Sequence, residues 1–304
     1  MNPARVRRLL LKWYAQHGRR HLPWRTTRDP YRVLVSEFML QQTQVERVLP
    51  KFDAFIARFP NFDALAAAAA ADVLRMWKGL GYNSRAVRLK QIASEVTDRF
   101  GGVMPRDEAA LRRLPGIGPY TVAAVRTFAF ESDDAAIDTN VRRVVHRLLH
   151  GMEHPPAVSD AQLDGEARAL VPKGRGHDWN SAMMDLGSAI CTARAPKCLI
   201  CPLRTACAAA PIDSARLEIA RSANVRKPSP QNAIPFERST RYARGRIIDR
   251  LRDLPPGRRI SLLDLHEDVT RRIGRSFGEL QSLVQALERD GLVSTRAPGV
   301  ALRE

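Results

Sequence analysis

All four cysteines of the chain fall between positions 191 and 207, as Cys191, Cys198, Cys201 and Cys207, in a C-x6-C-x2-C-x5-C spacing. In an intracellular protein thiols stay reduced, so the four read as ligands rather than as disulfides. Four thiolates from one short loop can close around a [4Fe–4S] cluster or a tetrahedral zinc ion. Zinc sites more often use two C-x2-C pairs, and only one pair here has that spacing. The spacing leans toward a cluster and leaves zinc open. A centre far from substrate would staple its loop, and Lys197 and Arg204 beside it could then face phosphates.

Two carboxylates stand out by their surroundings. Glu37 lies in SEFMLQQTQV (36–45), with Val35, Phe38, Met39 and Leu40 as apolar neighbours. Asp138 lies in AIDTNVRRVVHRL (136–148), where Asp-Thr-Asn reads as a helix cap. The plain reading is a cap for Asp138 and an arginine partner for Glu37. The chemical reading is hydrolysis of an N-glycosidic bond. One carboxyl with a raised pKa protonates the leaving base, and an ionised one stabilises the oxocarbenium-like sugar.

A third feature is Leu114-Pro115-Gly116-Ile117-Gly118-Pro119-Tyr120, between one helical pattern ending at Leu114 and another starting near Tyr120. Glycines at Gly116 and Gly118 permit a tight hairpin and close backbone approach. The N–H groups of the following helix would then receive a phosphate. A lone G-x-G is usually only a turn; between two helices of a basic chain it says more. Such a hairpin holds DNA without reading its sequence.

The elements that must position these residues are helical. Over 304 residues, 49 Lys and Arg face 32 Asp and Glu, a net charge of +17, which makes a polyanion the first partner to consider. No segment approaches the roughly 18 apolar residues that span a bilayer, so an intracellular protein is expected. The N-terminal stretch places Val6, Leu9, Leu10, Trp13 and Tyr14 at helical spacing, without the apolar run of a signal peptide. Residues 31–38, 48–58, 86–100 and 121–130 carry helical patterns, and the alanine run Ala66–Ala71 reads as one helical segment. Pro211, Pro228, Pro230 and Pro235 mark a linker over 211–240. Beyond it, RGRIIDRLRDL, SLLDLHEDVTRRI and FGELQSLVQALERDGL predict three helices, and VSTRA and GVALRE around Pro298-Gly299 a hairpin. That order predicts a winged-helix-like domain over 241–304, either a DNA reader or a docking module.

Taken together, the motifs resemble those of the adenine DNA glycosylases of the MutY type, in the helix-hairpin-helix superfamily that includes endonuclease III. The resemblance covers roughly residues 5–210. It rests on LPWR (22–25), RDPYRVLVSEFMLQQTQV (28–45), WKGLGY (77–82), LPGIGPYT (114–121), DTNVRRV (138–144), NSAMMDLGSAICT (180–192) and the four cysteines. The acid-bearing SEFMLQQTQV is the most specific, since relatives acting on pyrimidines lack it.

The resemblance implies a mainly α, two-lobed helix-hairpin-helix glycosylase domain over 1–210. Residues 28–136 would form a six-helix lobe, and 1–27 with 137–210 the lobe bearing a [4Fe–4S] loop. It implies that Glu37 protonates the adenine and that Asp138 stabilises the sugar cation. Gln41 and Gln42 would lie at the minor-groove mouth, filling the gap left by the flipped base, and Tyr82 would be a wedge beside the opposing base. Tyr120 stands where bifunctional relatives carry a Schiff-base lysine, which implies base removal without efficient strand cleavage. The implied substrate is duplex DNA with adenine opposite 8-oxoguanine or guanine, handled by a cytoplasmic, nucleoid-associated monomer.

Three departures accompany the resemblance. Asp-Thr-Asn stands where many members have Asp-Gly-Asn, and Asn83 where a second tyrosine is common. The C-terminal segment is shorter than the Nudix-like domain that many members use to sense 8-oxoguanine. Its Arg241, Arg244, Arg246, Arg271, Arg272 and Arg275 suggest a phosphate clamp, with a replacement for the missing opposing-base sensor as the alternative. Two alternatives stay open: a thymine or uracil mismatch glycosylase of the same superfamily, or a non-catalytic DNA-binding protein.

Overall fold

The computed structural model describes residues 1–154, 156–223, 235–296 and 299–304. Its contacts group these residues into two compact units. The first holds α1 (Pro3–His17), α2 (Pro23–Thr26), the start of α3 (Pro30–Leu40), α8 (Glu108–Arg112), α9 (Pro119–Phe130), α10 (Thr139–His150), α11 (Asp160–Leu170), α12 (Gly176–Ala189) and α13 (Ser214–Ala223). The second holds the rest of α3, α4 (Val45–Arg58), α5 (Phe62–Ala67), α6 (Ala70–Met76), α7 (Ser84–Phe100) and everything described from Phe236 onward.

In the first unit, α1 starts where the Asn2 side chain accepts from the N–H groups of Ala4 and Arg5, with Pro3 at its first position. Its stripe of Val6, Leu10 and Tyr14 faces α12 and joins one buried cluster with Val141, Val144 and Val145 of α10 and Ala182, Met183 and Leu186 of α12. Each such aliphatic side chain contributes about 1.5–3 kcal/mol on burial. Helices α10 and α12 meet at Gly187, where an added Cβ would stand 2.9 Å from the Asn140 Cβ. Glycine is what admits that approach.

One carboxylate ties the N-terminal segment to α12. Asp185, 2% exposed, accepts from Arg25 through both oxygens (2.7 and 2.9 Å), from the Arg19 N–H (2.9 Å) and from Arg19 Nε (2.8 Å). Burial pushes the Asp185 carboxyl up, but the hydrogen bonds and charges of Arg25 and Arg19 outweigh it, and its pKa lies below the ordinary value. Two separate sequence motifs, LPWR and NSAMMDLGSAICT, are thus halves of one ion cluster.

In the second unit, the alanine run departs from expectation. Helix α5 stops at Ala67, Ala68 and Ala69 are extended, and α6 begins at Ala70. The break lets Phe62 and Leu65 on one side and Val73 and Leu74 on the other all reach the interior. Lys90 Nζ caps the freed Ala66 carbonyl (2.9 Å). Alanine carries no signal for such a corner, so burial decides it.

The C-terminal segment contains α14 (Thr240–Arg252), α15 (Leu262–Ile273), α16 (Phe277–Arg289), β1 (Val293–Arg296) and β2 (Gly299–Leu302), the order expected from the sequence. Ser239, Ser261 and Ser276 cap the three helices, the last with Glu279 in a reciprocal capping box. The strands pair antiparallel, Val293 opposite Leu302, and Val300 also bridges to Ile260. Helix α14 and strand β2 pack against α6. The stretch read as a linker, 211–240, differs in part: Asp213 accepts from the Arg216 N–H (2.8 Å) at the start of α13, and residues 236–238 form a 3-10 turn. Pro228, Pro230 and Pro298 lie outside the described residues. Among those described, no helix is long and apolar enough to cross a membrane.

Asp185→Asn keeps the shape but leaves Arg25, 9% exposed at its side chain, without its carboxylate. It should cost about 3 kcal/mol or more in denaturant unfolding. The wild-type contribution follows from a lowered carboxyl pKa. It is complete above the ordinary aspartate range, near pH 4, and is lost as pH falls through the lowered folded value. A variant as stable as wild type at pH 7 would refute this account.

Candidate active site

Asp138 is the N-cap of α10. Its Oδ1 accepts from the Val141 N–H (2.7 Å) and its Oδ2 from Asn140 Nδ2 (3.1 Å). The cap expected from the sequence is present, and it fixes the direction of both carboxylate oxygens. The chain of contacts continues. Asn140 Oδ1 accepts from Arg143 Nη2 (2.9 Å), which also donates to the Gly187 carbonyl (2.8 Å). Arg143 Nε donates to the Cys191 carbonyl (2.9 Å). A carboxylate and the cysteine loop are therefore joined through two side chains.

Tyr120 is the second residue of α9 and packs, half-buried, on the apolar cluster of Val33, Ala123, Ala124, Phe128, Ala129 and Ala136. Ala136 lies two residues before Asp138, so Tyr120 and the approach to Asp138 share one small core. Val33 is its contribution from α3. Glu37, 7% exposed, stands one helical turn beyond Val33 on that helix.

In the second unit, an arginine that the sequence reading did not single out organises the residues around Glu37. Arg85, 5% exposed, donates through Nη1 to the carbonyls of Phe38 (2.7 Å), Met39 (3.1 Å) and Gln41 (2.6 Å). Through Nη2 it reaches the Leu80 and Gly81 carbonyls (2.8 and 3.2 Å) and Thr43 Oγ1 (3.3 Å). It thereby caps the C-terminal end of the Glu37 helix and pins the Gly79–Tyr82 turn to it. Burial pushes its guanidinium down to about 10, still charged near neutral pH. The available signal was positional: Arg85 shares its stripe on α7 with the buried Leu89, Ile92 and Val96. An arginine on an apolar stripe has to find partners there.

Two residues tied to Arg85 carry left-handed backbone without being glycine. Gln42 has φ +55 and is exposed, and Tyr82 has φ +44 with its ring 42% exposed. The Tyr82 ring lies 5.6 Å from the Arg85 guanidinium. Gln41 is half-buried, its carbonyl held as described.

The glycine hairpin takes the conformation its residues allow. Gly116 has φ +76, and a Cβ there would meet Arg88 at 3.0 Å. Gly118 is the N-cap of α9, with no side-chain cap and open space where a Cβ would be. The first N–H groups of a 12-residue helix are thus left uncovered by any cap side chain.

Cys191, Cys198, Cys201 and Cys207 all line one small cavity, together with Lys197, Arg204 and Arg147. None is in a disulfide. Arg147, 1% exposed at its side chain, forms a twofold ion pair with Glu153 (both 2.6 Å) and directs Nη1 at Cys191 Sγ (3.7 Å). Burial pushes the thiols of Cys191, Cys201 and Cys207 up, that of Cys201 to about 11. Among the described residues no three His, Cys, Asp or Glu side chains converge tightly enough for a single metal ion.

Residues 35–164 match the family described as HhH-GPD superfamily base excision DNA repair protein. Over 248 residues the chain is 43% identical to an adenine DNA glycosylase of Mycolicibacterium smegmatis, covering 80% of this chain and 79% of that protein. Over 196 residues it is 44% identical to an adenine DNA glycosylase of Mycobacterium tuberculosis, covering 64% of each. Among solved structures, a thermostable thymine-DNA glycosylase superposes with a TM-score of 0.62 at 32% identity, over 68% of this chain and 95% of that one. The chain belongs to the helix-hairpin-helix superfamily of base excision DNA repair proteins, and within it to the adenine DNA glycosylase family.

Proposed function

We propose that the chain removes adenine mispaired with 8-oxoguanine or guanine in duplex DNA, as a monofunctional glycosylase working as a monomer on chromosomal DNA in the cytoplasm. The observation that carries this reading is the Asp138 carboxylate, directed by Val141 and Asn140 and braced through Arg143. An anion fixed in this way suits a positive charge that exists only during reaction.

In this reading the adenine is flipped from the stack, at a cost least for a mispaired base. Glu37 gives its proton to the departing base as the C1′–N bond breaks. Asp138 stabilises the sugar cation, and water adds at C1′ and loses a proton. Tyr120 has no amine for a Schiff base. The hairpin at Gly116 and Gly118 takes a phosphate on the uncapped start of α9. Gln41 and Gln42 fill the gap in the duplex, and Tyr82 wedges beside the opposing base. The catalytic domain extends over 1–210, with the lobes divided as the resemblance implies.

The four cysteines suit a [4Fe–4S] cluster better than zinc. All four line one small cavity, and they lack the second C-x2-C pair that zinc sites more often use. When bound, the cluster supplies a covalent staple for residues 191–207, and base removal runs through Glu37 and Asp138 alone.

The identity to a thymine-DNA glycosylase favours a second reading, thymine opposite guanine, which the first experiment separates. Base release is measured from duplexes carrying A opposite 8-oxoguanine, A opposite G and T opposite G. Adenine should be released and thymine not, and Glu37→Gln should lower release by about 10² or more while duplex binding stays near wild type. Release of thymine alone, or Glu37→Gln within about threefold of wild type, would overturn the assignment.

Tyr120→Lys should let borohydride trap a covalent protein–DNA adduct. Efficient trapping by the wild-type chain would show that it is not monofunctional.

Purified without oxygen, the protein should be brown and hold about four irons per chain. A zinc-loaded, iron-free protein of full activity would refute the cluster.

A further inference from the structure

The sequence favours a phosphate clamp for the C-terminal segment over a replacement opposing-base sensor, yet the structure commits four of its six arginines within the chain. Arg244 pairs with Asp290, Arg246 with Asp249 and Arg275 with Glu279. Arg241 turns to the wedge turn. Its Nη1 donates to the Tyr82 hydroxyl (2.5 Å), and its guanidinium lies 5.2 Å from the Tyr82 ring and 4.9 Å from that of Phe236. Two half-exposed aromatic rings are thus bridged by one cation. Tyr82 itself stands between Arg241 and Arg85.

The adjacent residue is held as well. Arg252, 8% exposed, donates through Nη2 to Asn83 Oδ1 (2.7 Å), through Nε to the Leu74 carbonyl (2.9 Å) and through Nη1 to Asp249 (2.9 Å). Asn83 stands where the resemblance leads one to expect a second tyrosine, and its amide is engaged by the C-terminal segment. Lys78, in the same turn, pairs with Asp253 (3.0 Å). A pocket of about 530 Å³ opens beside these contacts, lined by Gln42, Tyr82, Phe236, Arg241 and Tyr242 among others.

We propose that Arg241 and Arg252 make the C-terminal segment the positioning element of the Tyr82–Asn83 turn, and through it a determinant of which base is accepted opposite the excised adenine. The proposal rests on the glycosylase reading above. A clamp needs guanidiniums free for phosphates; a positioning element needs them spent on the turn, as these are. The contacts are directional. The hydroxyl fixes where the ring points, the guanidinium fixes its plane, and the Asn83 amide fixes the backbone after it.

The test uses the full chain and three variants, Arg241→Ala, Tyr82→Phe and the pair together, with Arg289→Ala on the outer face of α16 as control. Single-turnover adenine release is measured opposite 8-oxoguanine, guanine and an abasic site. Arg241→Ala should lower the ratio of release opposite 8-oxoguanine to that opposite the abasic site about fivefold, the scale of one exposed cation–π contact with its hydrogen bond. The double variant should fall no further than the lower single one, since both remove the same contact. Arg241→Lys, which keeps a charged donor for the hydroxyl, should recover most of the ratio, and Arg289→Ala should leave it unchanged. If Arg241→Ala lowers the unfolding midpoint by more than about 4 °C, the Tyr82→Phe and Arg241→Lys ratios decide alone. A ratio within about twofold of wild type in Arg241→Ala, or effects that multiply independently, overturns the proposal while leaving the glycosylase reading intact. Absence of adenine release by the unsubstituted chain overturns the glycosylase reading and this proposal with it.

Discussion

A single buried guanidinium, that of Arg85, sets the geometry on which the Glu37 side of the protein depends. Taking an arginine out of water costs several kcal/mol unless its donors are met. Here both terminal nitrogens are met by main-chain carbonyls, at Phe38, Met39, Gln41, Leu80 and Gly81, with Thr43 as the one side-chain acceptor, while Nε is buried without a hydrogen bond. Carbonyls have no rotamers, so the arrangement fixes backbone rather than side chain. It halts α3 just after the turn that carries Glu37. It also brings that helix end and the Tyr82 turn onto one cation, although they are about forty residues apart in the chain.

This explains why two non-glycine residues sit at positive φ where they do. A left-handed residue other than glycine costs about 1–3 kcal/mol and persists only where its surroundings over-determine it. Gln42 follows a carbonyl that Arg85 grips, and Tyr82 follows two more. Both are residues that the family resemblance assigns to the opened duplex. The strain is compatible with that duty, because a side chain that must enter a helix cannot first be ordered by packing in a core.

Sequence reading recovers whatever is written in local chemistry. The capped serines of the C-terminal helices, the Asp138 cap, the stripe on α1 and the glycines of the hairpin each follow from neighbours within a few positions. What it misses is written across distance. Arg85 sits in NSRAVRLK, which looks like a solvated helix start, and only its register with Leu89 and Ile92 hints otherwise. The corner at Ala68–Ala69 has no residue that demands it. The helix at 214–223 hides behind the prolines around it. The contact of Arg241 with Tyr82 joins residues 159 positions apart, and neither residue's neighbours point to the other. The chemical duties proposed for Glu37, Asp138 and Tyr120 come only from family motifs, since residue type alone favours a cap for Asp138 and an ion pair for Glu37.

If Asp138 and the cysteine loop do what is proposed, the path between them lets a cofactor loop bear on catalysis without taking part in it. Asn140 must present its amide nitrogen to Asp138 and its oxygen to Arg143, so the orientation of one amide settles both contacts. Arg143 in turn donates to the carbonyls of Gly187 and of Cys191, the first residue of the cysteine loop. Gly187 admits the approach that makes the first of these contacts possible. A loosened loop therefore releases Arg143, then Asn140, and then one oxygen of Asp138, while Val141 continues to hold the other. The carboxylate would stay in place and lose its aim. In a reaction whose cation has a fixed position, aim is the quantity that electrostatic stabilisation requires.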